Sequence, residues 1–250
     1  MKEIKITIIN EIDKIISKKK FYILLILSLL SIGIIQILLY FSKTFFGINS
    51  MDFEGFPKFI LLIFSNTILP LIIILLTIDI FSNEFNNNTI KLSIMKPITR
   101  FELFLSKCLS IIVIMSVFIF FIMFFSILLS LIFNFSSFSI NSFFRIVLAY
   151  GVIILPICVV SLIIIFISNI IESASLIFFT SVLIILILKG LGMFLPQYSN
   201  LFIISFLEWY NLWLIDYIPV FRILRSFLIM IGMGIMLYSA AYYNFDKKSF

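Results

Sequence analysis

The sequence predicts an all-α integral membrane protein: six transmembrane helices in a single transmembrane domain covering residues 1–250. Composition comes first. Hydrophobic residues make up 63% of the 250, with only 12% charged, and mean hydropathy is +1.27. A soluble domain carries roughly a quarter charged residues. Second, six stretches each supply the ~20 apolar residues that cross ~30 Å of hydrocarbon. Third, runs such as "LLILSLL" and "SVLIILIL" are apolar on every face. In lipid the backbone must satisfy itself, so such runs are helices, and the alternation of a membrane barrel is missing.

The N-terminal twenty residues precede the first apolar run. Ile4, Ile8, Ile12, Ile15 and Ile16 fall near helical spacing with Lys and Glu between them. This predicts an N-terminal interfacial amphipathic helix at the inner membrane surface, with "KKK" abutting the first span. No Ala-x-Ala-like site follows that span, so it reads as a retained anchor rather than a cleaved signal. Spans are expected at about 21–41, 59–81, 103–133, 143–168, 174–195 and 223–243. The third is long enough to protrude or tilt. Pro70 and Pro156 lie inside the second and fourth, where each removes a backbone donor and should kink its helix.

Orientation follows from the cations. An even number of crossings puts both termini on one side. The N-terminal segment, the segment 82–107 and the tail together hold twelve of the eighteen Lys and Arg residues. This bias predicts that both termini, residues 82–107 and the turn at 169–173 are cytoplasmic. The net charge of +6 lies in short segments between apolar runs; it reports orientation rather than nucleic-acid binding. The stretch "PQYSNLFIISFLEWYNLWLIDYIP" at 196–219 mixes Trp and Tyr with Glu208, Asn211 and Asp216. A carboxylate at the bilayer centre costs roughly 2.5–3.5 kcal/mol. The stretch therefore reads as an outer re-entrant or interfacial element before span six, not a seventh span.

Several chemistries are excluded. No G-x-x-x-x-G-K-[ST] is present, so ATP phosphates cannot be cradled in that way. Eight glycines give no dinucleotide fingerprint. The absence of His removes HExxH zinc hydrolysis, His-ligated haem and a Ser-His-Asp triad. Cys108 and Cys158 form no CxxC and read as small buried hydrophobes. The chain is not expected to be an enzyme, nor to hold a cofactor or metal.

Residues 82–107, "SNEFNNNTIKLSIMKPITRFELFLSK", are polar far beyond what a turn needs. Asn86, Asn87 and Asn88 compete with helical hydrogen bonding and predict a turn. Asn88 or Thr89 can then cap a short helix, "TIKLSIM", which Pro97 ends. Thr99 and Glu102 fit a capping box that starts the third span. The segment resembles the E-x-x-x-G-T…L…P-[IV]-[ST]-R-x-x-x-x-x-x-K pattern of type-two ABC transporter permeases, the membrane subunits of ATP-driven drug, peptide and polysaccharide exporters. Glu84, Thr89, Lys91, Leu92, Pro97, Ile98, Thr99, Arg100 and Lys107 carry the resemblance. Asn88 stands where the family commonly has Gly, a mild departure because Asn tolerates positive φ. The six-span layout, the amphipathic N-terminal helix and the aromatic stretch before the last span agree with the family along the chain.

The resemblance implies a cytoplasmic coupling helix between spans two and three. That helix would dock in a groove of a separate ABC ATPase subunit, which binds ATP and Mg itself. It makes Glu84, Thr89, Lys91, Leu92, Pro97, Thr99, Arg100 and Lys107 the ATPase-coupling residues. It also implies two ATPase copies, a second permease subunit (identical or paralogous) and a place in a bacterial cytoplasmic membrane. The substrate would be amphipathic: an antimicrobial peptide, an antibiotic or another drug, with immunity or resistance as the setting. A secondary transporter or channel, and a non-transporting immunity or scaffold protein, are the other readings. The first should show repeat symmetry and a midplane charge network, and neither is visible.

Charges inside or beside spans are functional hypotheses by default. Asp79, near the cytoplasmic end of span two, is expected to be hydrated or to pair with Arg100 or Lys107. Glu172, in the inner turn between spans four and five, is expected to be a secondary cytoplasmic contact or a helix N-terminal charge. Lys189, Glu208 and Asp216, with Arg222 and Arg225, gather towards the outer end. They form an outer gate or snorkel to headgroups.

Overall fold

The computed structural model describes residues 2–46, 51–86, 99–194, 202–215, 217 and 219–248. Among them all regular structure is helical. An N-terminal helix α1 (Lys2–Ile16) leads through a two-residue break into α2 (Lys19–Phe46), the first span. The second span is composite: α3 (Gly55–Ile63), a π-helical turn (Phe64–Ile68), α4 (Leu69–Thr77), a second π-helical turn (Ile78–Ser82) and a short α5 (Asn83–Asn86). The third is α6 (Arg100–Phe133). A 3-10 turn (Phe135–Ser137) leads into α7 (Ile140–Val152) and α8 (Ile154–Ile170), which together make the fourth. The fifth is α9 (Ala174–Phe194). A 3-10 segment (Ile203–Trp213) precedes α10 (Val220–Lys247), the sixth. Six helices are long and apolar enough to cross a membrane. Thr89, Lys91, Leu92, Pro97 and the short helix predicted around them lie outside the described residues, as does Asp216.

The second, third and fourth spans form the interior; the first, fifth and sixth stay largely open around them. The exposed Leu, Ile and Phe side chains of those outer helices are what lipid tails require. Lipid gives no hydrophobic push between helices, so close approach must come from small residues and interhelical polar contacts. The long third span supplies them. Ser106, Ser110, Ser126 and Ser130 all lie buried on α6, at spacings of four within each pair. Ser106 and Ser126 return their hydroxyls to carbonyls one turn back (2.8 and 2.9 Å). Ser130 instead donates to the carbonyl of Phe53 (2.7 Å), fastening the entry of the second span. At 1.5 Å per residue α6 is about 50 Å long, well beyond ~30 Å of hydrocarbon.

Both prolines disturb their spans by interruption. Pro70 occupies the first turn of α4, directly after the first π turn. Pro156 sits in the first turn of α8, just past the break at Ile153. A helix start is where a missing N–H costs least. The chain thus resets its helix shortly before each proline.

Tyr150 joins three interior elements. Its side chain is fully buried, its hydroxyl donates to the carbonyl of Pro57 (3.0 Å) and it contacts the Ser126 hydroxyl (3.1 Å). Tyr150→Phe leaves that carbonyl without its partner and should destabilise the fold by about 1 kcal/mol. Unfolding of the detergent-solubilised full chain measures it, with Tyr22→Phe, on an exposed position of the first span, as the silent control.

Candidate functional site

At the C-terminal end of the second span the chain gathers unusual charge. Lys107, two turns into α6, has no exposed surface. An unpaired ammonium in such a place would cost several kcal/mol. Its Nζ donates to Glu84 Oε2 (2.5 Å) and to the carbonyl of Ile80 (3.1 Å), and lies 3.5 Å from Glu11 Oε2. The Phe81 ring sits 5.7 Å from it. The Ile80 carbonyl belongs to the second π turn. The same ammonium therefore ties α1, the end of span two and the start of span three together.

Glu84 is 3% exposed and takes a second cation, Lys14 of α1, on Oε1. Burial alone would push the Glu84 carboxyl up. The Lys107 charge and hydrogen bond, with those of Lys14, outweigh this and hold it below the usual 4.5. Lys14 answers in kind. Partial burial pulls it down, but the Glu84 hydrogen bond and charge, helped by Glu11, leave it above the usual 10.5.

A second carboxylate lies one π turn earlier. Asp79 Oδ1 takes Asn83 Nδ2 (2.7 Å) and faces Lys18 (3.5 Å) and Lys20 (3.4 Å) at the junction of α1 and α2. The expectation that Asp79 pairs with Arg100 or Lys107 is therefore corrected. The lysine run beside the first span folds back onto it, and Lys107 turns to Glu84 and Glu11.

Around this charge lies an aromatic collar. Phe104 of α6 packs on Phe81, on Tyr238 and Tyr242 of α10, and on Phe245, at centroid distances of 5.3–6.0 Å. Arg100 reaches the same region: its guanidinium donates to the Asp246 carbonyl (2.5 Å), with the Asp246 carboxylate 3.9 Å away. The start of span three and the end of span six are thereby clasped. Thr99 closes the capping box. Its backbone N–H donates to Glu102 Oε2 (3.1 Å), and its hydroxyl accepts from the Glu102 N–H (3.3 Å).

The middle of the second span holds a smaller polar group, centred on Asn66. Pro70 cannot donate to the carbonyl of Asn66, four residues before it. Lys189 of α9 donates to that carbonyl instead. The Asn66 side-chain amide donates to Glu208 Oε1 (3.3 Å). Separately, at the start of that span, Arg145 faces Glu54 (3.3 Å), which also holds Lys58.

A family model described as "ABC-2 family transporter protein" matches residues 7–192. The chain belongs to the ABC-2 family. It is thus a multi-pass membrane protein of the ABC transporter permease class. The match runs from the buried edge of α1 through most of the fifth span. No curated protein matches the chain.

In this ABC-2 permease, Glu84 and Lys107, which lie on either side of residues 87–98 in the chain, form one ion pair. Thr99 and Arg100 lie at the exposed start of α6, and Arg100 faces the end of α10. Glu172 is exposed in the turn between α8 and α9, and its backbone carbonyl accepts the Ser82 hydroxyl (2.7 Å). Lys189 and Glu208 meet through Asn66. Three participants escape sequence reading: Glu11, Lys14 and Asn66. The buried edge of α1 is Thr7, Glu11 and Ile15, spaced by four. A carboxylate in register with the apolar stripe was the signal for Glu11. For Asn66 it was an amide four residues before a proline inside a span.

Two measurements test the cluster. Lys107→Met leaves Glu84 and Glu11 facing each other in a buried site and should cost about 3 kcal/mol or more, whereas adding Glu84→Gln should recover much of that loss. A double-mutant cycle on unfolding of the solubilised chain reads the coupling. The pH dependence has a definite window. Glu84 is depressed, so its contribution is present above about 4.5 and is lost as pH falls through its lowered value. Lys14 is raised, so its contribution is full below 10.5 and is lost as pH rises through its raised value. Protection factors of the α1 amides, corrected for the intrinsic exchange rate at each pH, should hold between these limits and fall beyond them.

Proposed function

We propose that this chain is the membrane subunit of an ATP-driven exporter. A separate ABC ATPase grips the cytoplasmic segment between spans two and three, and the chain converts that grip into movement of its spans. The Glu84–Lys107 pair carries this reading. It closes the base of the segment that contains Thr89, Lys91, Leu92 and Pro97, so a push on the segment moves both spans together. Thr99 fixes the corner and Arg100 presents half-exposed charge there. Glu172 offers a smaller second contact. Family membership and the charge bias support an inner-side placement of this elbow and of both termini, in a bacterial cytoplasmic membrane.

Six spans make half a passage, so two permease chains, identical or paralogous, would work with two ATPase copies. ATP and Mg belong to the ATPase, and no nucleic acid is involved. The substrate is amphipathic, an antimicrobial peptide, antibiotic or other drug, in keeping with a lipid-facing path. Lys189 and Glu208, with Asp216, act as an outer gate. Co-purification tests the reading. Solubilised membranes expressing the chain should yield a bound ATPase, and Pro97→Leu or Arg100→Glu should lower its recovery at least tenfold. Undiminished ATPase recovery in both variants would end the coupling assignment.

A further inference from the structure

Where α1 turns into the first span, a crevice of about 210 Å³ opens between that turn and the second span. Its walls include Ile15, Phe21, Leu75 and Leu76, and its outer lip is Ile23. Ile15, Phe21 and Leu76 are buried, whereas Ile23 is 53% exposed. The apolar surface continues without a step along the open face of α2, through Ile26, Leu27 and Leu30. The mouth is different. Lys18 and Lys20 lie there, 34% and 69% exposed, facing one carboxylate, Asp79. Lys19, also exposed, stands between them in sequence. Two cations against one anion leave the mouth positive.

We infer that this crevice binds one anionic phospholipid of the inner leaflet, its phosphate at Lys18 and Lys20 and one acyl chain along Leu75, Leu76 and Phe21. The occupant must be apolar at one end and anionic at the other, with the change at the level where a polar helix becomes an apolar span. A phospholipid meets both demands in one molecule. Asp79 holds the two ammonium groups in place without neutralising both. The inference rests on the reading that puts this end of the spans at the inner leaflet. It is independent of the ATPase: loss of lipid binding with intact ATPase recovery removes this site alone.

The test uses the full chain, stripped of lipid in detergent and reloaded from micelles with equal phosphatidylglycerol and phosphatidylcholine of identical acyl chains. Native mass spectrometry counts what is retained. One phosphatidylglycerol per chain is expected, preferred at least fivefold, since each lysine near an anionic surface is worth about fivefold. Lys18→Gln/Lys20→Gln, at exposed positions, should abolish the preference. Leu75→Trp, which fills the crevice, should abolish retention while the lysines remain. Equal retention of both lipids, or a preference that survives the lysine substitutions, overturns the inference. Retention unaffected by Leu75→Trp reduces the effect to surface charge and also overturns it. So does displacement by excess inorganic phosphate, which marks a free-anion site.

Discussion

An ammonium group with no exposed surface can persist only if its surroundings hold it charged and hydrogen-bonded. Lys107 meets that condition through Glu84, Glu11 and the Ile80 carbonyl. Glu11 belongs to α1, whereas Ile80 and Glu84 both belong to the end of the second span. Moving any of them away by an ångström or two would leave charge stranded in apolar surroundings, at several kcal/mol. The contact between α1, the C-terminal end of the second span and the start of α6 is therefore positioned by one desolvated charge more than by apolar packing. Apolar contacts between lipid-bathed helices discriminate weakly between registers, because lipid tails offer nearly the same environment.

The second span shows how that constraint reaches the backbone. An α-helix through residue 82 would keep the Ile80 carbonyl in its own hydrogen-bond ladder. The π turn at Ile78–Ser82 loosens the ladder and leaves that carbonyl able to face Lys107. The π turn at Phe64–Ile68 works with Pro70 in the same sense, and the Asn66 carbonyl so freed is taken by Lys189. Both departures from regular helix coincide with a lysine from a neighbouring span. Each irregular turn offers a backbone carbonyl to a lysine ammonium.

Much of this was legible in the sequence, for stated physical reasons. Six apolar stretches of sufficient length can only be helices in lipid, so the architecture followed from composition and spacing. The Thr99–Glu102 box was legible because a cap is local: four residues contain the donors and the acceptors. Glu84 and Lys107 were singled out by resemblance, but their mutual contact was not, since 23 residues separate them and the path between is not encoded by periodicity. Glu11 and Lys14 were hidden by the habit of assigning charges on an amphipathic helix to the water side. Here one edge of the helix faces another buried charge. The partners of Asp79 were misassigned because the run Lys18–Lys19–Lys20 was read only as a topology signal. A lysine beside a span can report orientation and fold back onto a carboxylate at once.

The mechanical consequence concerns stiffness. A helical hairpin pushed at its loop can splay, and the displacement is then lost at the loop. The Glu84–Lys107 pair closes the base of this hairpin, and Phe104 with Phe81 and Phe245 packs against the closure. Arg100 fastens the same base to the end of α10. In the proposed reading, force applied to the segment therefore acts on a block made of spans two, three and six. The block's other handle is Asn66, thirteen residues before Asp79 and so about 20 Å along the helix. There the second span meets Lys189 and Glu208. Between the two handles runs α4, nine regular residues with a looser turn at each end. A stiff rod with compliant ends transmits a tilt and absorbs the mismatch at its joints. That division of labour accounts for the two π turns, each with its polar partners, on either side of α4.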